Sequence, residues 1–174
     1  MKRWLLALAW GACLPAGNRE VSGSVGYGSL WDDEGTLGRG AVGGVAVGVH
    51  GNRKLGFEVD YAISRNNRSE NFRGYTQYLL ANGLVHFARG KARPYFLFGG
   101  GMAIHTNTGA YLGSPRTGVG PAVAIGFGLK GFINEHWFIR PEVRVSGGWG
   151  SGLRKAIESP ATVPRITIGA GYRW

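Results

Sequence analysis

The 174-residue sequence contains one cysteine, Cys13, and few acidic residues, with 10 Asp and Glu against 20 Lys and Arg. One thiol cannot form a disulfide framework, and the four His residues have no Cys partner and no metal-ligand spacing. No apolar run reaches the ~18 residues of a membrane helix. The glycine runs are followed by no helix, so they are not phosphate loops. We therefore expect no disulfide scaffold, no metal site, no cofactor and no membrane-spanning helix.

Glycine, by contrast, is abundant. Its 32 residues far exceed the usual share of roughly 7%. From Val119 to Leu129, glycine and alanine alternate with larger apolar residues, which is the period of two of a β-strand. A second alternating segment, Trp137–Ser146, follows after a short break, so the two are expected to pair as a hairpin. Glycine placed between Val, Ile and Phe indicates the strands of a small barrel, not disorder.

The two faces of this hairpin differ from those of a soluble barrel. One face carries mainly Val, Ile, Phe and Trp, whereas the other carries Gly, Ala and the charged residues Arg140, Glu142 and Arg144. A soluble barrel turns its large apolar residues inward and its charges toward water. A narrow barrel in lipid does the reverse, because apolar side chains face the acyl chains while small residues and paired charges fill the lumen. The pattern favours the membrane barrel.

Alternating segments of this kind recur along the chain and predict eight strands. They cover residues 20–30, 39–50, 55–64, 74–87, 93–104, 119–129, 137–146 and 162–174. The third strand repeats the hairpin pattern, with Glu58 and Asp60 on its small-residue face. The fourth and fifth strands are apolar on both faces, so their facing stays open. We predict an all-β fold, an eight-stranded antiparallel up-and-down transmembrane β-barrel.

The connections between these strands predict the orientation. They alternate between long and short, at 31–38, 51–54, 65–73, 88–92, 105–117, 130–135 and 149–161. Outer-membrane barrels have short periplasmic turns and longer extracellular loops, so both termini are expected in the periplasm. Aromatic residues then mark two rims, with Trp31, Tyr75 and Trp149 at the outer one and Phe132, Trp137, Tyr172 and Trp174 at the inner one.

The N-terminus has the layout of a secretory signal. The charged start Met1-Lys2-Arg3 precedes a short apolar run, Trp4–Ala12. A small residue at Ala16 predicts cleavage there, which gives a signal peptide over residues 1–16 and a barrel domain over residues 17–174. A lipoprotein signal at Cys13 is the alternative, although Trp10 is large for the first position of that motif. Cleavage after Ala16 leaves a mature chain without cysteine.

The C-terminal segment carries a family resemblance. Thr167-x-Gly169-x-x-Tyr172-x-Trp174 resembles the C-terminal signal of bacterial outer-membrane proteins. In architecture the whole mature chain is similar to the small eight-stranded outer-membrane barrels of the OmpA transmembrane domain, OmpX and OmpW type. The resemblance implies location in the outer membrane, insertion by the barrel-assembly machinery and escort by periplasmic chaperones. We also expect a monomer.

Charged residues on the inward faces form the candidate site. Glu58 and Asp60, with Arg140, Glu142 and Arg144, are predicted to meet as a lumenal charge network. A buried charge persists only when it is paired, so the network is expected whatever its use. A gate is one interpretation. Plugging is the favoured one, because an eight-stranded lumen is barely wide enough for its own side chains.

The sequence argues against catalysis. His105, with Asn107 and Thr108, faintly resembles the His and Ser of the outer-membrane lipid A deacylases, but the Ser two residues after the His is missing. Without that nucleophile acyl transfer has no attacking group. A solvated loop is the favoured interpretation for His105, and an interfacial turn for His136.

The net charge of +10 does not indicate nucleic acid, because the basic residues are divided between the two ends of the barrel. Loop cations in an outer leaflet of lipopolysaccharide would meet phosphate groups. We predict a non-enzymatic structural or surface barrel whose loops contact lipopolysaccharide, lipid or an external ligand. A narrow porin-like channel for small solutes and, less favoured, a lipid A-modifying enzyme are the alternatives.

Overall fold

The structure, a computed structural model, describes residues 18–32, 35–50, 54–69, 72–107, 116–149 and 161–174. These residues form eight antiparallel strands that close into one barrel in chain order, which confirms the predicted fold. The strands are β1 (Asn18–Asp32), β2 (Gly35–His50), β3 (Leu55–Ser69), β4 (Phe72–His86), β5 (Ala92–Asn107), β6 (Arg116–Phe132), β7 (Trp137–Gly148) and β8 (Ala161–Arg173). The predicted signal peptide, residues 1–16, lies outside the described residues.

Pairing between the first and last strands closes the barrel. β1 pairs with β2 along one side and with β8 along the other, where Val25 lies opposite Ile168. Every strand thus has two neighbours, and the ladder leaves no open edge. The start of β1 and the ends of β2, β4, β6 and β8 lie at one end, which we call the terminal end; we call the other the loop end. No helix among the described residues is long and apolar enough to cross a membrane.

Side chains alternate between the two surfaces of the barrel along every strand. Large apolar residues point outward, and Val25 and Ile166 are each 66% exposed. The inward positions are buried and carry both small and charged residues. A continuous apolar exterior of this kind is far larger than a soluble monomer tolerates. This exterior agrees with the facing that the hairpin of β6 and β7 predicted.

The register settles the facing of β4 and β5. Leu80 lies opposite Asp60 of β3, and directly opposed residues share a face, so Leu80 points inward with Tyr78 and Leu84. Leu84 in turn lies opposite Leu97, so the inward face of β5 carries Tyr95 and Leu97. Leu79, Phe98 and Met102 lie on the opposite, outward face. The sequence left this choice open because it shows no partner strand.

Two predicted long connections, 31–38 and 65–73, are wrong. β1 continues to Asp32 and β2 starts at Gly35, while β3 continues to Ser69 and β4 starts at Phe72. Backbone hydrogen bonds extend a hairpin whether or not its side chains are apolar, so polar composition did not end these strands. The register shifts once in each extension, between Leu30 and Trp31 and between Asn67 and Ser69. The regular alternation of long and short connections is therefore lost.

The predicted turn 130–135 is also wrong at its start. β6 runs on to Phe132, and Lys130 and Phe132 keep the inward parity of Ala124. Phe132 is therefore buried inside the barrel mouth and is not part of an outward aromatic rim. The other three residues predicted for that rim, Trp137, Tyr172 and Trp174, contact one another at the terminal end.

Candidate functional site

Six charged side chains meet inside the barrel. We call them the ionic cluster: Glu58, Asp60, Arg140, Glu142, Arg144 and Arg165. The structure brings together all five residues that the sequence proposed for a lumenal network and adds Arg165 from β8. All six are buried, with Arg144 only 2% exposed. β3 and β7 are four strands apart in a ring of eight, so ion pairs between them cross the lumen.

Arg140 binds two carboxylates at once. Its two terminal nitrogens donate to both oxygens of Glu58, Nη1 to Oε2 at 2.7 Å and Nη2 to Oε1 at 2.9 Å. Nη2 also donates to Glu142 Oε2 at 2.6 Å. A two-point contact between planar groups fixes direction as well as charge, which an isolated lysine cannot do. Arg140 therefore ties the β3 side of the lumen to β7.

Arg144 and Arg165 complete the cluster around Asp60. Arg144 donates from Nη1 to Asp60 Oδ1 and from Nε to Glu142 Oε1, each at 2.8 Å. Arg165 reaches Asp60 Oδ1 from the other side at 3.3 Å. The six members thus comprise three carboxylates and three guanidinium groups. Such a balance is what burial requires, since an unpaired ion in a low dielectric is costly.

Tyr95 supports the cluster from β5. Its hydroxyl donates to Glu142 Oε2 at 2.6 Å and accepts from Arg140 Nε at 2.5 Å. The hydroxyl lies against the backbone of β6, where a Cβ on Gly128 would come within 2.3 Å of it. Gly128 is therefore needed for Tyr95 to hold this position. The sequence missed Tyr95 because the facing of β5 was open.

An apolar layer lies beside the cluster, toward the loop end. It consists of Leu30, Tyr78, Leu80, Ala103, Ala122, Ala124 and Val163. Here the prediction for His105 is wrong, because this residue belongs to β5, is 0% exposed and points inward. Its Nδ1 lies 2.9 Å from the hydroxyl oxygen of Thr76. The parity of β5 places His105 on the same face as Tyr95 and Leu97, so the side chain cannot enter solvent.

Little space remains between the charged groups. One cavity of about 20 Å³ borders Asp60, Arg140, Arg144 and Arg165, which is room for about one water molecule. The cluster and the apolar layer therefore fill the interior where they meet. No group of His, Cys, Asp and Glu among the described residues could hold a metal ion.

A wider cavity opens at the terminal end, with a volume of about 350 Å³. We call it the vestibule; its ionisable lining is Glu20, His50, His86, Arg89, Arg93, Lys130 and Arg173. Lys130 Nζ contacts Glu20 Oε2 and lies 3.0 Å from His50 Nε2, which in turn lies 2.8 Å from the same Glu20 oxygen.

The sequence interpretation missed the vestibule. Lys130 was placed in a turn, although its position continues the inward parity of Ala124, Gly126 and Gly128. That parity was the available signal. No such signal links Lys130 to Glu20 and His50. Glu20 and His50 lie on the paired strands β1 and β2, whereas Lys130 lies on β6 and reaches them only when the barrel closes.

The residues proposed for the C-terminal assembly signal lie along β8. Thr167 and Gly169 are buried on the inward face. Tyr172 packs edge-on against Trp137, with ring centroids 5.2 Å apart, and stacks on Trp174 at 6.2 Å. The backbone N–H of Trp174 donates to the carbonyl oxygen of Arg19 at 3.0 Å. The end of the chain therefore joins the start of β1 at the closing seam.

Similar architectures are known from solved structures. Neisserial surface protein A (NspA) matches with a TM-score of 0.73 and 13% identity, over 91% of this chain and 99% of that chain. Ail of Yersinia pestis, in complex with the heparin analogue sucrose octasulfate, matches with a TM-score of 0.61 and 17% identity over 91% and 99%. The outer-membrane enzyme PagL matches with a TM-score of 0.54 and 18% identity over 87% and 97%.

Sequence comparison adds no closer relative. No protein-family profile matches the chain, and no curated protein matches its sequence. At these low identities the structural matches concern the fold alone. The closed eight-strand ladder, the apolar exterior and these neighbours together give the chain the fold of the small eight-stranded outer-membrane β-barrels.

Proposed function

We propose that this protein is a structural or surface-interaction barrel of the bacterial outer membrane, with a plugged lumen. The observation that carries the proposal is the ionic cluster, whose ion pairs join opposite walls of the barrel. A conducting pore needs a continuous water path, whereas here the interior is filled by paired charges and an apolar layer. Contacts with other molecules would then be made by the outer wall and by the loop end.

The loop end supplies cations for contact with an external anion. Arg39 and Arg65 are exposed there, on β2 and β3. In an outer leaflet of lipopolysaccharide such side chains would meet lipid phosphates. The same cations also suit an external polyanion, and the neighbour Ail binds a heparin analogue in its crystal structure. We propose lipopolysaccharide contact with both termini in the periplasm, an orientation that places these arginines at the cell surface.

Closure of the barrel supports a monomer. Each strand has both partners within the chain, so no strand edge is left for another copy. We propose that periplasmic chaperones and the barrel-assembly machinery deliver and insert the chain, which they recognise through Thr167, Gly169, Tyr172 and Trp174. Trp174→Asp should then leave aggregated or degraded precursor instead of folded protein in the outer membrane. Normal levels of folded Trp174→Asp would contradict this role, with Trp137→Asp as the control for a lost aromatic contact at the same rim.

An enzymatic role has less support. The neighbour PagL is an outer-membrane enzyme, and His105 was the one residue that suggested such chemistry. Its ring, however, is buried on the inward face and contacts Thr76. A lipid substrate lies outside the wall, so this histidine cannot reach an ester bond there. We therefore propose that the protein is not an enzyme.

Conductance in planar bilayers tests the plug. The parent protein should be silent. Replacing two carboxylates and two arginines together, as Glu58→Ala, Arg140→Ala, Glu142→Ala and Arg144→Ala, keeps the interior neutral and leaves the pair of Asp60 and Arg165. This variant empties the charged part of the lumen without stranding a charge. With Leu80→Ala in addition, which opens the adjoining apolar layer, it should conduct small ions.

A control variant with side chains of similar volume distinguishes the effect of emptying the lumen from the effect of removing its charges. The control combines Leu80→Ala with Glu58→Gln, Arg140→Met, Glu142→Gln and Arg144→Met. The same charges are lost, but the four side chains of the cluster remain nearly as large. This control should stay silent, because the lumen is still filled. A parent protein that conducts would contradict the plug and favour the porin-like alternative.

A further inference from the structure

The vestibule is a preformed cavity whose described lining carries more positive than negative charge. Its lining holds four cationic side chains, Arg89, Arg93, Lys130 and Arg173, and among the described residues one carboxylate, Glu20, which leaves a net charge of +3. Glu20 is bound by Lys130 and His50, so it neutralises the inner part of the lining. Arg89, Arg93 and Arg173 line the mouth of the same cavity. A mouth of one sign attracts ions of the other.

Two of these arginines are held close together by an aromatic ring. The guanidinium carbons of Arg93 and Arg173 each lie 4.5 Å from the ring centroid of Phe132. The two like charges are therefore separated by at most twice that distance. Arg93 Nε donates to the carbonyl of Gly90, and Arg173 donates twice to the carbonyl of Glu135. These bonds and the ring orient both groups without removing their charge.

The turn after β4 brings the third arginine to the same mouth. Gly90 has a φ of +113°, a conformation that side chains other than glycine rarely adopt. This turn carries Arg89 and presents the Gly90 carbonyl to Arg93. The rings of His50 and His86 line the inner part of the cavity, with centroids 4.9 Å apart. Arginine side chains thus line the mouth of the cavity, and two imidazole rings line its inner wall.

We propose that the vestibule binds a phosphate monoester. Guanidinium groups match phosphate oxygens in paired contacts, and a monoester near neutral pH carries a charge of about −1.5 to −2. Such a charge offsets about half to two thirds of the net charge of the lining, whereas a carboxylate offsets a third of it. The cavity of about 350 Å³ falls within the range of small-molecule sites, about 300–1,000 Å³, so it accepts an organic group beyond the phosphate. The phosphate would lie among Arg89, Arg93 and Arg173.

Calorimetric titration of the full chain in detergent micelles tests this site. The first probe is glycerol 3-phosphate, with glycerol as the uncharged control. The parent protein should bind the phosphate at one saturable site and should not bind glycerol. In the variant Arg93→Gln with Arg173→Gln, affinity should fall about tenfold or more, because two charge-assisted contacts are lost. Electrophoretic heat-modifiability verifies that each variant is folded.

A matched control separates a site from general attraction. Arg39→Gln with Arg65→Gln removes the same charge at the loop end and should leave phosphate affinity unchanged. Equal weakening in the two double variants, or no saturable binding to the parent, would overturn the proposal. A second arm replaces the soluble probe by dihexanoyl phosphatidic acid. Tighter binding of glycerol 3-phosphate than of the lipid assigns a soluble phosphate ester, and tighter binding of the lipid assigns a lipid headgroup; saturable binding of glycerol 3-phosphate supports the phosphate site in either case.

The proposed phosphate site and the proposed plug are tested by separate measurements. Conductance depends on the ionic cluster, whereas phosphate titration depends on the arginines of the mouth. A conducting parent that binds phosphate would contradict only the plug. A silent parent that binds no phosphate would contradict only this inference.

Discussion

The ionic cluster and the vestibule use the same kinds of residues in opposite ways. The cluster holds three carboxylates and three guanidinium groups, and each carboxylate is bound by at least one arginine. It leaves a cavity of only about 20 Å³. Among the described residues, the vestibule has four cations and one carboxylate, Glu20, around an open cavity of about 350 Å³. In the cluster, balanced charges occur together with a filled interior. In the vestibule, an excess of positive charge occurs together with an open cavity.

The difference indicates what each region does. Charges that are fully paired and buried cross-link the walls of the barrel and fill it, because their removal from water must be offset by their partners. Charges at a mouth that water can reach need no complete pairing. An ion that enters the mouth meets these positive charges. Mutations should therefore affect folding in the cluster and ligand binding in the vestibule.

The largest effect is expected within the cluster. Arg140→Ala with Arg144→Ala leaves Glu58 and Glu142 without their main partners, and breaking a buried pair from one side costs about 3–5 kcal/mol. We expect a large fall in the free energy of unfolding, measured by denaturant titration in micelles. Removing Glu58 and Glu142 as well should recover part of the loss. Equal stability of all variants would show that these charges do not depend on one another.

The next largest effect is expected on the outer wall, where a substitution measures the cost of an unpaired charge in lipid. Val123 is 49% exposed on the outward face, so Val123→Arg places a charge in acyl chains at a cost of about 2–4 kcal/mol. The same change in detergent should cost less, because micelles adapt around the charge. Val123→Leu is the control for altered shape. If Val123→Arg is as stable as the parent in bilayers, the wall does not face lipid.

Loss of Lys130 should have a smaller effect than loss of the cluster arginines. Lys130→Met leaves Glu20 with His50 and with water from the vestibule, so a cost of about 1–3 kcal/mol is expected. Lys130→Met with Glu20→Gln should recover most of it. Denaturant midpoints of the parent, single and double variants provide the measurement. A cost as large as that of the cluster variant would show that the vestibule is as closed as the lumen.

The smallest effect on folding is expected at the mouth. Arg173→Gln removes a partly exposed charge that bonds a carbonyl, so stability should change by less than about 1 kcal/mol. Glycerol 3-phosphate should raise the thermal midpoint of the parent, since a ligand of the folded state stabilises it, and should raise that of Arg173→Gln less. A similar shift in the parent and in Arg173→Gln would show that Arg173 does not belong to the phosphate site.

Alternation of residue types determined much of this protein from its sequence alone. Large apolar residues at every second position, with Gly, Ala and charges between them, predict strands, their number and the outward face of the wall. The same alternation placed Glu58, Asp60, Arg140, Glu142 and Arg144 on inward faces. Where both faces are apolar, as in β4 and β5, alternation decides nothing. Polar composition likewise gave wrong ends for β1, β3, β5 and β6, because backbone pairing continues through polar residues.

Contacts around the ring were decided only by the tertiary structure. Arg140 lies 82 positions from Glu58 in the chain, and Lys130 lies 110 positions from Glu20. Whether such residues meet depends on the register between neighbouring strands and on the closure of β8 onto β1, which no local pattern encodes. The sequence carries the facing of a strand wherever one face is apolar and the other is small or charged. Which side chains pair with each other is decided by the closed barrel, because side chains from distant strands share one narrow interior only after the ladder is complete.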